Sequence, residues 1–105
     1  MSENISVLLV DDHELIRAGL AGVFDLQPDM TVVGQAGSVA EALARFEELR
    51  PDVVVTDLQL GDGTGLDIVR TLRRDHDDVG LIVLTMHSGD DQIFAAMEAG
   101  ASGFV

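Results

Sequence analysis

Short apolar runs recur along the chain, separated by stretches long enough for one helix and its loops. Ile5–Val10 and residues 53–56 and 81–84 are almost wholly aliphatic, which is typical of strands buried on both faces of a sheet. A mixed run at 31–36 predicts a further strand, and residues 101–105 begin a fifth. The pattern therefore predicts five strands joined by crossover segments.

Between the first three runs, apolar side chains recur at the spacing of amphipathic helices. Pro28 closes the first predicted helix, whose inner face is formed by Leu15, Ile16, Leu20, Val23 and Phe24. Ser38, with Glu41 at capping-box spacing, begins the second helix. Its predicted inner face is formed by Val39, Ala42, Leu43, Phe46 and Leu49.

Two further helices are predicted in the second half of the chain. Leu66, Val69 and Leu72 mark the third, and the fourth spans residues 90–99 with Gly100 as its stop signal. Strands that alternate with helices predict an α/β fold, in which a parallel sheet has helices on both faces. The expected architecture is flavodoxin-like, an open sheet in the strand order 2-1-3-4-5. At 105 residues the chain predicts one domain.

The charge balance limits the partners that this domain can bind. Acidic residues number 19 and basic residues 6, which gives a formal charge of −13. Such a domain repels nucleic acid backbones and anionic membranes, and it suits a basic protein patch or a cation held by carboxylates. The absence of cysteine excludes disulfides and thiolate chemistry. No apolar run is long enough to cross a membrane and no signal peptide is evident, so we expect a cytoplasmic protein.

Four side chains at the predicted strand ends indicate a shared site. Asp11 and Asp12 follow the first strand, Asp57 follows the third, and Thr85 follows the fourth. In the order 2-1-3-4-5 the first and third strands are neighbours, and sites form beyond the carboxyl ends of such strands. Three converging carboxylates must retain a proton or bind a cation, and oxygen ligands suit Mg²⁺. Asp57 could then act as a nucleophile toward phosphorus, with the Thr85 hydroxyl donating to a phosphoryl oxygen.

Each of these residues also has a purely structural interpretation. Asp11 or Asp12 alone fits a helix N-cap, and Asp11 with Glu14 has capping-box spacing. Asp57 alone fits a turn residue. Turn roles are expected for the three glycines that follow it, Gly61, Gly63 and Gly65. Solvated surface positions are expected for the histidines, His13, His76 and His87. Three acids and a hydroxyl at three separate strand ends nevertheless favour the shared site.

Four segments carry a pattern seen in a known family, in the order VLLVDDHELIRAGL, VVVTDLQLGDGTGLD, LIVLTMHS and EAGASGFV. Together they resemble the receiver domain of bacterial two-component response regulators, and they cover nearly the whole chain. The residues of DDHELIRAGL, LTMH and GASGF are most similar to the matching motifs of the NarL/LuxR-type subfamily. Members of that subfamily usually carry a helix-turn-helix DNA-binding domain after the receiver.

The resemblance implies a role for each residue that matches the metal and phosphoryl motifs. Asp57 would accept a phosphoryl group from a histidine kinase. Mg²⁺ would be bound by the side chains of Asp12 and Asp57 and by the backbone carbonyl of Gln59. Asp11 would hold a metal-bound water.

The resemblance also implies how the signal would leave the site. Thr85 would be the switch hydroxyl that moves toward the phosphoryl group, and Phe104, which is otherwise most simply a core residue, would be the switch aromatic. A homodimer is expected on activation, and DNA would be bound only through an output domain outside this chain.

Departures from the family pattern at Gly61 and after Phe104 affect these expectations. Gly61 stands where the family usually has proline, which favours a more mobile loop. The family lysine expected shortly after Phe104, and the fifth helix, are not present in this chain. We therefore expect residues 1–105 to be a receiver domain that is incomplete at its C-terminus.

Two alternative functions stay open beside the signalling switch. A magnesium-dependent phosphatase could use Asp57 as nucleophile, but such enzymes often carry a second acid two residues later, where this chain has Gln59. A receiver-like interaction module that is never phosphorylated would fit the missing lysine, but not the complete set of acids. We expect a switch and not an enzyme.

Overall fold

The structure is a computed structural model that describes residues 4–84, 95 and 97–104. The strands are β1 (Ile5–Val10), β2 (Met30–Ala36), β3 (Val53–Asp57), β4 (Gln59–Leu60), β5 (Gly63–Thr64), β6 (Gly80–Leu84) and β7 (Gly103–Phe104). The helices are α1 (Glu14–Asp25), α2 (Val39–Leu49) and α3 (Gly65–Asp75). Residues 95 and 97–99 are also helical, and the rest of the predicted fourth helix lies outside the described residues. Among the described residues, no helix is long and apolar enough to cross a membrane.

Five strands form one parallel sheet in the order β2-β1-β3-β6-β7. Because β6 and β7 are its fourth and fifth strands along the chain, the predicted flavodoxin-like order is confirmed. Val10 pairs with Thr56 between β1 and β3, and Asp57 pairs with Leu84 between β3 and β6. The residues that follow β1 and β6 therefore start from positions beside the end of β3.

Apolar layers cover both faces of the sheet. The larger layer lies against α2 and α3, and its fully buried side chains include Leu8, Val54, Ile68 and Val69. The smaller layer lies against α1, and its buried members are Val7, Leu9, Ala21 and Val55. Full burial of such aliphatic side chains is worth about 1.5–3 kcal/mol each, so these layers supply the main stabilisation of the fold.

The predicted inner face of α1 is partly wrong. Leu20 and Phe24 pack against the sheet around the buried Ala21, as expected of an inner face. The other three predicted residues are instead exposed: Leu15 by 86%, Ile16 by 48% and Val23 by 58%. At about 100° per residue, Leu15 and Phe24 point to opposite sides of a helix, so one face cannot hold both. The helix buries the stripe around Ala21, which lets it approach the sheet closely.

The predicted surface position of His76 is also wrong. Its side chain is 19% exposed, and its ring centroid lies 4.8 Å from that of Phe46. His76 is the C-cap of α3, and its ring packs against Phe46 of α2. The aromatic contact, not solvent, determines where this histidine lies.

Helix α2 begins at Ser38 as predicted. The Ser38 hydroxyl accepts the backbone N–H of Glu41 at 3.0 Å. The Glu41 carboxylate does not complete the expected reciprocal bond to Ser38 but accepts the backbone N–H of Gly37 at 2.6 Å. The cap is therefore formed, with the second bond shifted by one residue.

The glycine-rich segment after Asp57 forms a hairpin that was not predicted. Its two short strands, β4 and β5, pair in antiparallel fashion. At the turn, the Asp62 carboxylate accepts the backbone N–H groups of Val39 at 2.8 Å and Ala40 at 3.1 Å. These are the first residues of α2, so the hairpin is tied to the amino end of that helix, where a carboxylate is favoured.

Candidate metal and phosphoryl site

Acidic side chains meet at the carboxyl ends of β1 and β3. Asp11 and Asp12 follow β1, and Asp57 is the last residue of the neighbouring β3. One ligand atom from each of these acids and one from His13 all lie within 4.8 Å of one another. We call these four residues the acidic pocket. The structure brings together the three acids that were selected in the sequence and adds a histidine that was not.

Asp11 is the most enclosed acid of the pocket and is held on both sides. The residue is 6% exposed. Its backbone N–H donates to the Ala36 carbonyl at 3.0 Å, and its own carbonyl accepts a bond from Arg17 Nη1 at 2.6 Å. Its carboxylate Oδ1 accepts the backbone N–H of His13 at 2.8 Å, which forms a local turn.

The structural alternative for Asp11 and Asp12 is wrong. The N-cap residue of α1 is His13, and no side chain caps that end of the helix. The spacing of Asp11 and Glu14 therefore does not produce a capping box. Arg17 was not predicted as a site residue. Its guanidinium donates to the Asp11 carbonyl and so holds the loop between β1 and α1, which contains both acids.

The carboxyl group of Asp57 is half-buried beside two other acids. Burial raises the pKa of Asp57 above its ordinary value, and the charges of Asp11 and Asp12 raise it further. The backbone N–H groups of Gln59 and Leu58 oppose this rise, because they stabilise the charged form. Without a cation, the pocket therefore makes ionisation of Asp57 less favourable than it is in water.

The oxygens of the pocket fit a hard divalent cation. Oδ1 of the buried Asp11 accepts the backbone N–H of His13 and also lies 3.1 Å from His13 Nδ1, while Oδ2 has no hydrogen-bond partner among the described residues. An unpaired buried carboxylate oxygen is unfavourable unless an ion or water binds it. Asp12 and Asp57 offer further oxygens within 4.8 Å. Carboxylates, a backbone carbonyl and waters are the ligands that Mg²⁺ takes in proteins.

His13 is a site residue that the sequence did not reveal. The side chain is 63% exposed, as expected for a surface histidine, but Nδ1 lies 3.1 Å from Asp11 Oδ1 and 3.0 Å from Asp12 Oδ1. The hydrogen bond to Asp11 raises the pKa of His13, and the charge of Asp12 raises it further. In the sequence, only its position directly after two acids at a strand end indicated that His13 could belong to the site.

The other predicted site residues are partly described. Gln59 opens β4 next to the pocket, and its backbone N–H is one of the groups that favour the charged form of Asp57. Thr85 lies outside the described residues, although it directly follows Leu84, the β6 partner of Asp57. Phe104 lies in β7, and its side chain is outside the described part of the chain.

Two residues hold the backbone of Asp57 in place. Thr56 is 1% exposed, and its hydroxyl donates to the Asp57 carbonyl at 2.9 Å. Gly65, the first residue of α3, lies so close that a Cβ there would overlap the same carbonyl oxygen and lie 3.1 Å from Thr56 Cγ2. Gly65 is therefore needed for close packing against the site, beyond the turn role expected from sequence.

An open parallel sheet with an acidic pocket at the ends of its first and third strands is the arrangement expected of a signal receiver domain. The family described as "Response regulator receiver domain" matches residues 7–105. The chain belongs to this family, and the resemblance noted in the sequence is confirmed.

Two curated relatives of the chain are named as regulators of transcription. The chain is 46% identical over 101 residues to "DNA-binding transcriptional activator DevR/DosR" of Mycobacterium tuberculosis. The matched region covers 96% of this chain and 46% of that protein. The chain is 39% identical to "Transcriptional regulatory protein LiaR" of Bacillus subtilis, over 96% of this chain and 48% of that protein. The chain thus spans about half the length of these relatives.

Solved structures of response regulators have the same fold as this chain. A LuxR-family two-component response regulator from Aurantimonas sp. SI85-9A1 superposes with a TM-score of 0.93 at 34% identity, over 97% of this chain and 73% of that one. The receiver domain of the putative response regulator NarL from Mycobacterium tuberculosis gives 0.92 at 27% identity, over 97% and 82%.

Proposed function

We propose that this chain is a phosphorylation-dependent switch in which Asp57 accepts a phosphoryl group from a histidine kinase in the presence of Mg²⁺. The observation that carries the proposal is the meeting of Asp11, Asp12 and Asp57 at the carboxyl ends of two adjacent strands. Membership of the response regulator receiver family supports it.

In the proposed reaction, a carboxylate oxygen of Asp57 attacks the phosphorus of a phosphohistidine on the kinase. The new O–P bond forms as the N–P bond breaks, and the histidine nitrogen leaves. Thr56 and Gly65 fix the backbone of Asp57, so the carboxylate is held at one position for an in-line approach.

The other residues of the site would prepare Asp57 for this attack. Asp12 and Asp57 would hold Mg²⁺ through their side chains, Gln59 would add its carbonyl, and Asp11 would hold a metal-bound water. When bound, Mg²⁺ would neutralise charge on the carboxylates and on the transferring group. This opposes the rise in the pKa of Asp57, so the ionised carboxylate that attacks phosphorus is favoured.

The output of the switch is proposed from the relatives and from the charge. A relative of the chain is named a DNA-binding transcriptional activator, and the chain spans about half of such proteins. At a formal charge of −13 this domain is unsuited to DNA, so DNA would be bound by an output domain outside it. Thr85 and Phe104 as switch residues, a homodimer on activation and a cytoplasmic location stay predictions.

Labelling with a small phosphodonor tests the proposal. The chain is incubated with acetyl phosphate and Mg²⁺, and intact-protein mass spectrometry measures the phosphoryl group gained. We expect stable labelling that is lost with EDTA and in Asp57→Asn. The matched control is Asp75→Asn, which removes the same charge from an exposed acid at the end of α3 and should label normally.

Each alternative predicts a different result. Repeated release of phosphate from the donor, with many turnovers per chain, would favour a phosphatase. No labelling of a folded chain that contains Mg²⁺ would favour an interaction module. Labelling that persists in Asp57→Asn would show that another residue accepts the phosphoryl group, which contradicts the proposal.

A further inference from the structure

The tip of the hairpin that follows Asp57 has little packing of its own. The strands β4 and β5 have two residues each, and the turn between them is formed by Gly61 and Asp62. Glycine has the largest backbone freedom of any residue. Among the described residues, a Cβ at Gly61 would have no neighbour within 4 Å. The position of the tip must therefore be set by contacts outside the turn.

Asp62 supplies these contacts at the first turn of α2. Its Oδ1 accepts the N–H of Val39 at 2.8 Å, and its Oδ2 accepts the N–H of Ala40 at 3.1 Å. A helix leaves such N–H groups without partners at its amino end, and here they lower the pKa of Asp62 because they stabilise the charged form. The neighbouring Gly63 lies close to the same helix end, since a Cβ there would be 3.2 Å from Val39 Cγ2. The hairpin is therefore held against α2 by hydrogen bonds and by close packing.

The amino end of α2 is well anchored and lies near the acidic pocket. Buried side chains of the helix belong to the larger apolar layer. Gly37, just before the N-cap of this helix, lies so close to Arg17 that a Cβ there would be 2.9 Å from Arg17 Nη1. That nitrogen donates to the Asp11 carbonyl. One helix end therefore contacts the hairpin and, through Gly37 and Arg17, the loop that carries the first acids of the pocket.

The base of the hairpin is the part that faces the pocket. Gln59 begins β4 three residues before Asp62, and its backbone N–H stabilises the Asp57 carboxylate. In the proposed function, the Gln59 carbonyl is a ligand of Mg²⁺. Because the hairpin is only two residues long on each side, a shift of its tip would also move the backbone of Gln59.

We propose that Asp62 is a positioning residue of the phosphoryl site, which holds Gln59 at the acidic pocket by tying the hairpin to α2. Asp62 would not touch the metal ion or the phosphoryl group. It would keep the backbone of Gln59 in one place before the ion arrives, so that binding does not have to order the hairpin. The inference rests on the proposed function, because it concerns the Mg²⁺ site of that function.

Two caps of the same helix provide matched variants that test the inference. Asp62→Ala removes two hydrogen bonds at the start of α2, and Ser38→Ala removes the bond to the Glu41 N–H, which does not involve the hairpin. Both should lower the urea midpoint, because each removes a cap of α2. Isothermal titration calorimetry measures the Kd of Mg²⁺. We expect Asp62→Ala to weaken Mg²⁺ binding by about tenfold, as when a partner that orients a metal ligand is lost, and Ser38→Ala to change it by less than about twofold. Asp75→Asn controls for the loss of a negative charge.

Hydrogen exchange of the metal-free chain measures the hairpin directly. The Gln59 amide should exchange faster in Asp62→Ala than in Ser38→Ala, because only the first variant frees the hairpin to open locally. Equal Mg²⁺ affinities for these two variants, or equal exchange of the Gln59 amide in both, would overturn the inference and leave Asp62 as a helix cap alone.

The result is separable from the proposed function. Normal phosphorylation of Asp57 in the wild type, together with an Mg²⁺ affinity that Asp62→Ala leaves unchanged, would reject this inference alone. A wild-type chain that is never phosphorylated, although Asp62→Ala frees Gln59 and weakens Mg²⁺ binding, would reject the proposed function alone. Circular dichroism of each variant confirms that a lost affinity does not reflect a lost fold.

Discussion

Replacing Asp57 by asparagine should make the metal-free protein more stable. The substitution keeps the size and shape of the side chain and removes one charge from the acidic pocket. The pKa of Asp57 is raised first by burial and then by the charges of Asp11 and Asp12, so its ionised form is disfavoured in the folded state. The asparagine amide avoids both penalties.

The size of the effect follows from the separations in the pocket. The ligand atoms of the acids lie within 4.8 Å of one another. Two like charges about 4 Å apart repel by about 1 kcal/mol in water and by about 4 kcal/mol near a protein surface. Partial exposure screens the repulsion, and the contacts of His13 with Asp11 and Asp12 oppose it. We therefore expect Asp57→Asn to raise the free energy of unfolding by about 1–3 kcal/mol.

The pH dependence fixes the sign of this argument. Because the folded-state pKa of Asp57 lies above its ordinary value of 3.8, the charged group destabilises the fold at every pH above the folded-state value. As the pH falls from that value toward 3.8, the folded wild type binds a proton before the unfolded chain does, and the penalty disappears. The stability gap between wild type and Asp57→Asn should therefore close in acid.

Urea unfolding in EDTA measures the gap at neutral and at acid pH. Asp75→Asn, at an exposed position, controls for the general loss of a negative charge. Addition of Mg²⁺ should stabilise wild type and have a smaller effect on Asp57→Asn, which loses a ligand. A metal-free Asp57→Asn that is no more stable than wild type, or a gap unchanged in acid, would refute the electrostatic reasoning.

Three further substitutions test the supports of the site. Gly65→Ala should lower the free energy of unfolding by about 1–3 kcal/mol and reduce labelling of Asp57, because the new Cβ would displace the Asp57 backbone. Urea unfolding and labelling measure both effects. Gly61→Ala is the control, since a Cβ at Gly61 would have no neighbour within 4 Å. Asp62→Ala should lower the urea midpoint at neutral pH, and the difference should fade as the pH falls through the lowered folded-state pKa of Asp62. Arg17→Lys keeps the charge but loses the guanidinium geometry, so calorimetry should show Mg²⁺ affinity falling by about tenfold.

The central strands were largely predictable because they are continuous aliphatic runs. The predicted strands at 53–56 and 81–84 agree to one residue with Val53–Asp57 and Gly80–Leu84. Such runs leave few alternatives, since a strand buried on both faces must be apolar at every position. The strand order then brings the ends of β1 and β3 together, so the convergence of the acids follows from topology.

The helix faces and the hairpin depend on contacts that the local pattern does not contain. Apolar residues surround much of α1, and packing against the sheet selects the side that carries Ala21. The strands β4 and β5 have two residues each, too few for any periodicity. The bond between Asp62 and Val39 joins positions 23 apart in sequence. Only the folded chain shows such a cap.

His13 shows a different limit of sequence reasoning. Its exposure was predicted, and the side chain is 63% exposed. Its direction was not, because the local turn at Asp11 brings the ring back over the acids of the pocket. A pattern of exposed and buried positions contains no information on where an exposed ring points.

The bonds of the segment after Asp57 indicate which element would respond to its phosphorylation. The Leu58 N–H donates to the Leu84 carbonyl of β6 at 3.2 Å, and the Leu58 carbonyl accepts the Gly65 N–H of α3 at 2.8 Å. Both α3 and β6 contribute buried side chains to the larger apolar layer, so the lengths of the two bonds distinguish them. The bond to Leu84 is longer, and β6 leads directly to the predicted switch threonine. We therefore expect phosphorylation to change hydrogen exchange of the Leu58 amide more than that of the Gly65 amide. Equal protection of both amides before and after labelling would contradict a path through β6.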